Sequence, residues 1–252
     1  KQLAITLENN LWAYEVLNYE GQYILLPSDD KVNPWWPLVR DGVNVKQVAW
    51  APTYFNPAFT EIFSRAFPAH AWGQLANTAY GLLERALADR VALRKNNQNV
   101  SGKIPVPAWV WISKSPKKQI FSLENYFAES YSNEFDTIRI PMYIGLDYIW
   151  NKNVKAKKYL QAFLKQSDVH SAGDAYVGAM PGYPQGWNNL LAISQFGVAH
   201  KVAGNDKSFR EYVNNSLHPS QKYFDDTPQY YYNQTFCLYG YLILNDRFVK
   251  VL

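Results

Sequence analysis

The chain has 252 residues, enough for one large domain or two small ones with a substantial core. Its 48% apolar and 18% charged residues exclude a disordered polymer, and a net charge of +4, with lysines scattered along the chain, offers no basic block for nucleic acid. No run approaches the roughly 20 apolar residues of a membrane span, so no membrane-spanning helix is expected. The informative number is the aromatic fraction, 16%, with nine Trp and nineteen Tyr. Many of these rings sit beside Asn, Gln, Gly or Pro, as at Trp35 and Trp36 between two prolines and at Tyr230 to Tyr232 before Asn233. Flat rings with a polar handle suit partly wet surfaces such as the face of a sugar, or alternatively a Tyr-rich core.

In chain order, Leu3, Leu7, Leu11, Tyr14 and Leu17 fall close to helical spacing and predict a helix over residues 2–20. The chain starts at Lys1 inside this pattern, without a signal-peptide pattern, which reads as a mature, processed or incomplete N-terminus. A turn-rich stretch follows to Asn44, with a short strand expected at Tyr23–Pro27. Asn56 and Pro57 open a short helix over 57–67, proline standing at its first position. Residues 70–93 form the clearest helix, with Trp72, Leu75, Ala79, Leu82, Leu83, Ala86 and Val91 on one stripe. After a polar break, the prolines of Pro105–Ile112 favour an extended apolar segment. Further helices are expected from Asp136 to about Trp150, over Val154–Gln166, and over 187–202, 207–217 and 230–245. A glycine- and proline-containing loop at 167–186 separates them. The pattern is mainly α, in one domain spanning 1–252.

The stretch Ser132–Tyr143 concentrates the chemistry. Asp136 and Arg139, at i and i+3, face one side of a helix, and the guanidinium favours an ionised, oriented carboxylate. That is what a general base needs; an N-cap aspartate with a local ion pair is the alternative. Other chemistries find little support. His70, His170, His200 and His218 lack second ligands at metal-like spacing, so no metal site is expected. Neither a Gly-x-Ser-x-Gly elbow nor a Gly-rich phosphate loop occurs, so no cofactor is expected. The single cysteine, Cys237, lies in an apolar pattern and reads as a small core residue. What remains is carboxylates among aromatics, the composition of a sugar site.

These residues then acquire a family likeness. Phe135–Tyr143 resembles the Tyr-Asp-Ala-x-Arg-x-Pro segment of glycoside hydrolase family 8. Three further stretches match in the same order: Ala51–Pro57 resembles Asn-Pro-Ser-Tyr-Phe-x-Pro, Ile104–Val110 resembles a Pro-Asp-Trp segment, and Tyr231–Gly240 resembles Tyr-Tyr-x-x-x-Leu-x-Leu-Phe-Gly. Leu25–Pro27 is similar to a segment of the cellulases that accompany bacterial cellulose synthases. The resemblance implies an all-α fold, an (α/α)6 barrel, and inverting endo-acting hydrolysis of a β-1,4-linked polysaccharide, a cellulose-like glucan foremost. It implies that Asp136 is the general base with Arg139 as its partner, and that Tyr54, Trp109 and Phe135 contact sugar.

The departures are equally specific. The family's general acid lies in a Glu-Gly-x-Gly-Tyr-Gly segment near its N-terminus, and an Asp-Ala-Asp segment helps bind the central sugar. Neither occurs here; Glu20–Tyr23 is superficially similar but follows the first helix. Phe135 replaces a tyrosine and Ala108 replaces the aspartate of Pro-Asp-Trp. The barrel is therefore expected to be incomplete, lacking roughly its first third. The missing helices would come from the same gene product or a second chain. Polysaccharide substrates imply a secreted or periplasmic protein. Two alternatives stay open, a non-catalytic glycan-binding or scaffold protein of the same fold and an unrelated helical enzyme.

Overall fold

A computed structural model describes residues 2–27, 39–41, 46–95, 105–114, 121–125, 137–175, 187–217 and 231–250. The chain divides into two compact units, one of Lys1–Ser101 with Val106–Asn133, the other of Gly102–Pro105 with Glu134–Leu252. Helices dominate, as the all-α expectation has it, with short strands added in the first unit.

The first unit opens with α1 (Gln2–Glu15), followed by the antiparallel hairpin of β1 (Val16–Tyr19) and β2 (Gln22–Leu25). The expected helix over 2–20 thus stops at Glu15, and Leu17, in phase with the helical pattern, belongs to a strand. Glu20 and Gly21 explain the stop. Both have positive φ, 53° and 80°, as a two-residue hairpin turn needs, and Gly21 N–H donates to the Asn18 side chain at 3.1 Å. Glu20–Gly21 is turn chemistry. On α1, Leu3, Leu7 and Tyr14 face solvent, and Glu8 is buried.

An antiparallel sheet of order β3 (Val39–Asp41), β4 (Lys46–Trp50), β5 (Val110–Lys114) and β6 (Phe121–Asn125) completes the strands. Pro105 and Pro107, which cannot donate to a ladder, stay ahead of β5. Between β4 and β5 run α2 (Pro57–Ala66) and α3 (Trp72–Lys95), which pack on each other, α3 also meeting β2. Asn56 caps α2 by accepting from Ala58 N at 3.2 Å. The predicted stripe of α3 is its core face: Trp72, Leu75, Ala79, Leu82, Leu83 and Ala86 are all buried.

The second unit is a helical assembly of α4 (Ile140–Asn151), α5 (Val154–Gln166), α6 (Trp187–Ala203), α7 (Lys207–Leu217) and α8 (Tyr231–Leu244). Helix α6 touches the other four, and Leu191–His200 is buried without a break. A helix surrounded in this way must be apolar on every side. Two glycines let its neighbours come to backbone distance. A side chain at Gly145 of α4 would overlap Val198, and one at Gly240 of α8 would stand 2.6 Å from Ser194 Cβ. Two buried polar side chains of α6 find acceptors: the Gln195 amide donates to the Phe236 carbonyl of α8 at 2.9 Å and the Ser194 hydroxyl to the Leu191 carbonyl at 2.8 Å. Asp147, 2% exposed, accepts from Asn151 at 2.8 Å and Asn153 at 2.7 Å, clamping the tight α4–α5 turn at left-handed Lys152.

Candidate functional site

The motif Ala51–Pro57 builds a strand-to-helix connection. Trp50 ends β4 fully buried, Pro52–Tyr54 makes one 3-10 turn, and Pro57 starts α2. Within this turn Tyr54 N donates to Ala51 O at 3.1 Å and Phe55 N to Pro52 O at 3.3 Å. The turn sends successive side chains opposite ways. Thr53 and Phe55 go into the core, Phe55 edge-on to Tyr80 at 6.2 Å, while Tyr54 stays 46% exposed.

Trp109 arrives at the same place from the other motif. In the β4–β5 ladder Trp50 stands opposite Val110, so the residue before β5 lies beside the residues just after β4. The Tyr54 and Trp109 rings meet edge to face, centroids 6.0 Å apart at 79°. Two of the residues expected to touch sugar are thus adjacent and partly exposed. Ala108, where the family likeness leads one to expect aspartate, is fully buried. A carboxylate there would be desolvated, and a methyl group fits.

Arg139 lies in the second unit at the N-cap of α4, 8% exposed, with φ −72° and ψ −24°. Its carbonyl accepts from Met142 N and Tyr143 N, both at 3.1 Å. A helix was expected from Asp136; Thr137 is helical, Ile138 and Arg139 make a turn, and α4 itself starts at Ile140. Pro141 is the reason: it has no N–H and is tolerated only in a first turn. Thr137 and Ile138, both 1% exposed, lead into it. A buried guanidinium at a helix N-terminus opposes the macrodipole and requires acceptors around it. Asp136 and Phe135 lie outside the described residues. So do the side chains of Tyr231, Tyr232 and Asn233 in the last motif; further along α8, Phe236 packs edge-on against Tyr143 of α4 at 6.3 Å.

One polar cluster escaped the sequence reading. Glu8 of α1 accepts from Trp72 Nε1 at 2.7 Å and meets His70 Nδ1 at 2.6 Å, while Trp12 stacks on His70 with centroids 4.8 Å apart. The available signal was the i, i+4 spacing of Glu8 and Trp12 on the face opposite the leucines. Elsewhere, burial holds the His200 imidazole below its ordinary range as it stacks on Phe209 at 4.4 Å. Burial also pushes the Cys237 thiol up to about 12, leaving it protonated and unreactive. Among the described residues no group of three or more His, Cys, Asp or Glu could hold a metal ion.

The mostly helical chain with these motifs has counterparts among known proteins. Its fold matches a solved endo-1,4-D-glucanase from Vibrio fischeri ES114 with a TM-score of 0.62, at 15% identity, over 97% of this chain and 62% of that one. The fold is the helical-barrel type of that endoglucanase, present over part of its length.

In sequence, the chain is 24% identical to Endoglucanase 2 of Ruminiclostridium josui over 210 residues and 27% identical to Endoglucanase A of Acetivibrio thermocellus over 182. These alignments cover 82% and 72% of this chain but only 37% and 30% of the relatives. The chain is a distant relative of endoglucanases and spans about a third of their length. No family model matches it.

Proposed function

We propose that this chain is part of a family 8 glycoside hydrolase that cleaves a β-1,4-linked glucan internally with inversion. In this reading all 252 residues belong to one catalytic domain. Asp136 is the general base that deprotonates the attacking water. Arg139 positions that carboxylate and favours its ionised form. Tyr54 and Trp109 offer ring faces and edges to a glucosyl unit, and Phe135 contributes apolar contact. Inversion requires a second carboxyl group about 6.5–9.5 Å from the base, to protonate the leaving oxygen. That acid would come from outside this segment. A polymeric substrate places the protein outside the cytoplasm, and among the described residues no helix is long and apolar enough to cross a membrane.

The observation that carries this reading is the Tyr54–Trp109 pair. Two motifs far apart in sequence converge on one half-exposed aromatic surface, in a chain related to endoglucanases. A glycan-binding protein without turnover is the second reading, favoured by the lack of a Glu-Gly-x-Gly-Tyr-Gly segment. Reducing-end release by the full-length gene product separates them, using cellulose, mixed-linkage glucan, xylan and chitosan. Hydrolysis of a β-glucan that is lost in Asp136→Asn, with oligosaccharide binding retained, is expected. Near-normal turnover in that variant would overturn the assignment of the base; binding without release by the unaltered protein would favour the second reading.

A further inference from the structure

One corner of the second unit gathers positive charge, although lysines are scattered over the chain as a whole. Lys152, Lys155, Lys157 and Lys158 fall within seven residues across the α4–α5 turn, and residues 148–167 contain no Asp or Glu. Lys152, Lys155 and Lys158 are exposed. The Lys152 and Lys157 ammonium groups stand over the Tyr148 ring, 5.9 and 5.4 Å from its centre. Residues 247–250 join the same corner. Phe248 stacks on Trp150 at 5.5 Å and accepts from Trp150 Nε1 at 3.1 Å, while Lys250 Nζ donates to Asn151 Oδ1 at 2.7 Å. Asp147, just ahead of this stretch, is buried and held by Asn151 and Asn153. Two apolar side chains stand out among the lysines, Val154 at 63% and Val249 at 67% exposed.

Folding does not account for this charge. Lysines in the first turns of α5 oppose its macrodipole, and Lys155 and Lys158, at i and i+3, repel each other. We propose that this corner docks on an anionic lipid bilayer, with Val154 and Val249 entering the headgroup layer and the lysines facing lipid phosphates. A neutral glycan offers lysines no countercharge. The cores of protein interfaces are poor in lysine, and nucleic-acid sites rely on arginine and stacked rings, with no use for bare valines. An anionic bilayer uses both features, apolar area and cationic attraction, each weak alone. The association is peripheral and needs no spanning helix. It stands apart from the catalytic reading, because it involves none of the residues placed at the sugar site.

Co-sedimentation of the full-length gene product with lipid vesicles tests it. Vesicles of phosphatidylcholine with about a third phosphatidylglycerol should bind at least about tenfold more tightly than phosphatidylcholine alone, and high salt should remove the difference. Lys155→Glu combined with Lys158→Glu should weaken binding to the anionic vesicles at least about tenfold, each lysine at such a surface contributing about fivefold. Glutamates in the first turns of α5 suit its macrodipole, so this variant keeps its fold, which circular dichroism checks. Val154→Ser combined with Val249→Ser should weaken the same binding about 2–10-fold through lost apolar burial. Equal binding to the two kinds of vesicle, or unchanged binding in the lysine variant, would overturn the proposal. A loss in the lysine variant with none in the valine variant would overturn it in favour of a site for any polyanion, an acidic protein or nucleic acid included.

Discussion

The two units put their candidate site residues in opposite settings. In the first, Tyr54 and Trp109 stand partly exposed at the end of a β-ladder, held by a 3-10 turn whose neighbours are buried. In the second, Arg139 is buried at the start of α4, ahead of a helix that α6 covers. A half-exposed ring contributes area and can be trimmed at modest cost. A buried cation acts through charge and position, and its loss leaves its acceptors unsatisfied. Substitutions in the first unit should therefore weaken substrate binding, and those in the second should slow turnover.

The largest expected effect is that of Asp136→Asn, which should lower kcat about 10²–10⁴-fold, the usual contribution of a general base, with KM little changed. Steady-state kinetics on a soluble β-glucan measures it. Arg139→Ala should cost kcat about 10–100-fold and displace the acid limb of the pH–rate profile to higher pH, since a carboxylate that loses its cation protonates more readily. Circular dichroism checks that the variant is folded; a profile that kept its acid limb would break the link between the two residues. Trp109→Ala should act on the other side of the comparison, raising KM about 2–10-fold with kcat retained, in line with about 0.5–1.5 kcal/mol for an aromatic contact. A fall in kcat of the same size would erase the contrast between the units.

The smallest effect concerns His200. Its pKa in the folded protein is lowered, so on acidification the unfolded chain takes up the proton first. The stability it contributes is present above about pH 6.5, the ordinary imidazole value, and is lost as pH falls below it toward the folded pKa. Urea unfolding between pH 7.5 and 5 should show a decline that His200→Gln flattens.

Much of the fold was legible because the helices obey local rules. Helix α5 spans Val154–Gln166, as its amphipathic pattern predicts, with Asn153 accepting from Lys155 N at 3.0 Å as its cap. Pro57 marks the start of α2 for the same kind of reason. Other features were hidden where one pattern mimics another. Leu17 continues a helical spacing by coincidence, and only the positive-φ pair Glu20–Gly21 reveals the hairpin. The run at Val48, Ala49 and Trp50 is buried on both sides, so it lacks the alternation that would identify β4. The start of α4 at Ile140 follows from Pro141, a restriction that the Asp136–Arg139 spacing does not carry. For the site, the sequence named Tyr54 and Trp109, and their meeting required the β4–β5 register, a long-range fact. The inward Glu8 was not legible because helical spacing alone does not say which face of α1 is buried, and here the leucines lie on the outer one.

The central claim is inverting hydrolysis of a β-1,4-glucan, and the anomeric form of the first product tests it most directly. Proton NMR of a soluble β-1,4-glucan mixed with the full-length gene product should show new reducing ends appearing first as the α-anomer, with the β-anomer growing in by mutarotation. New ends appearing first as the β-anomer, or no new ends, would contradict the account.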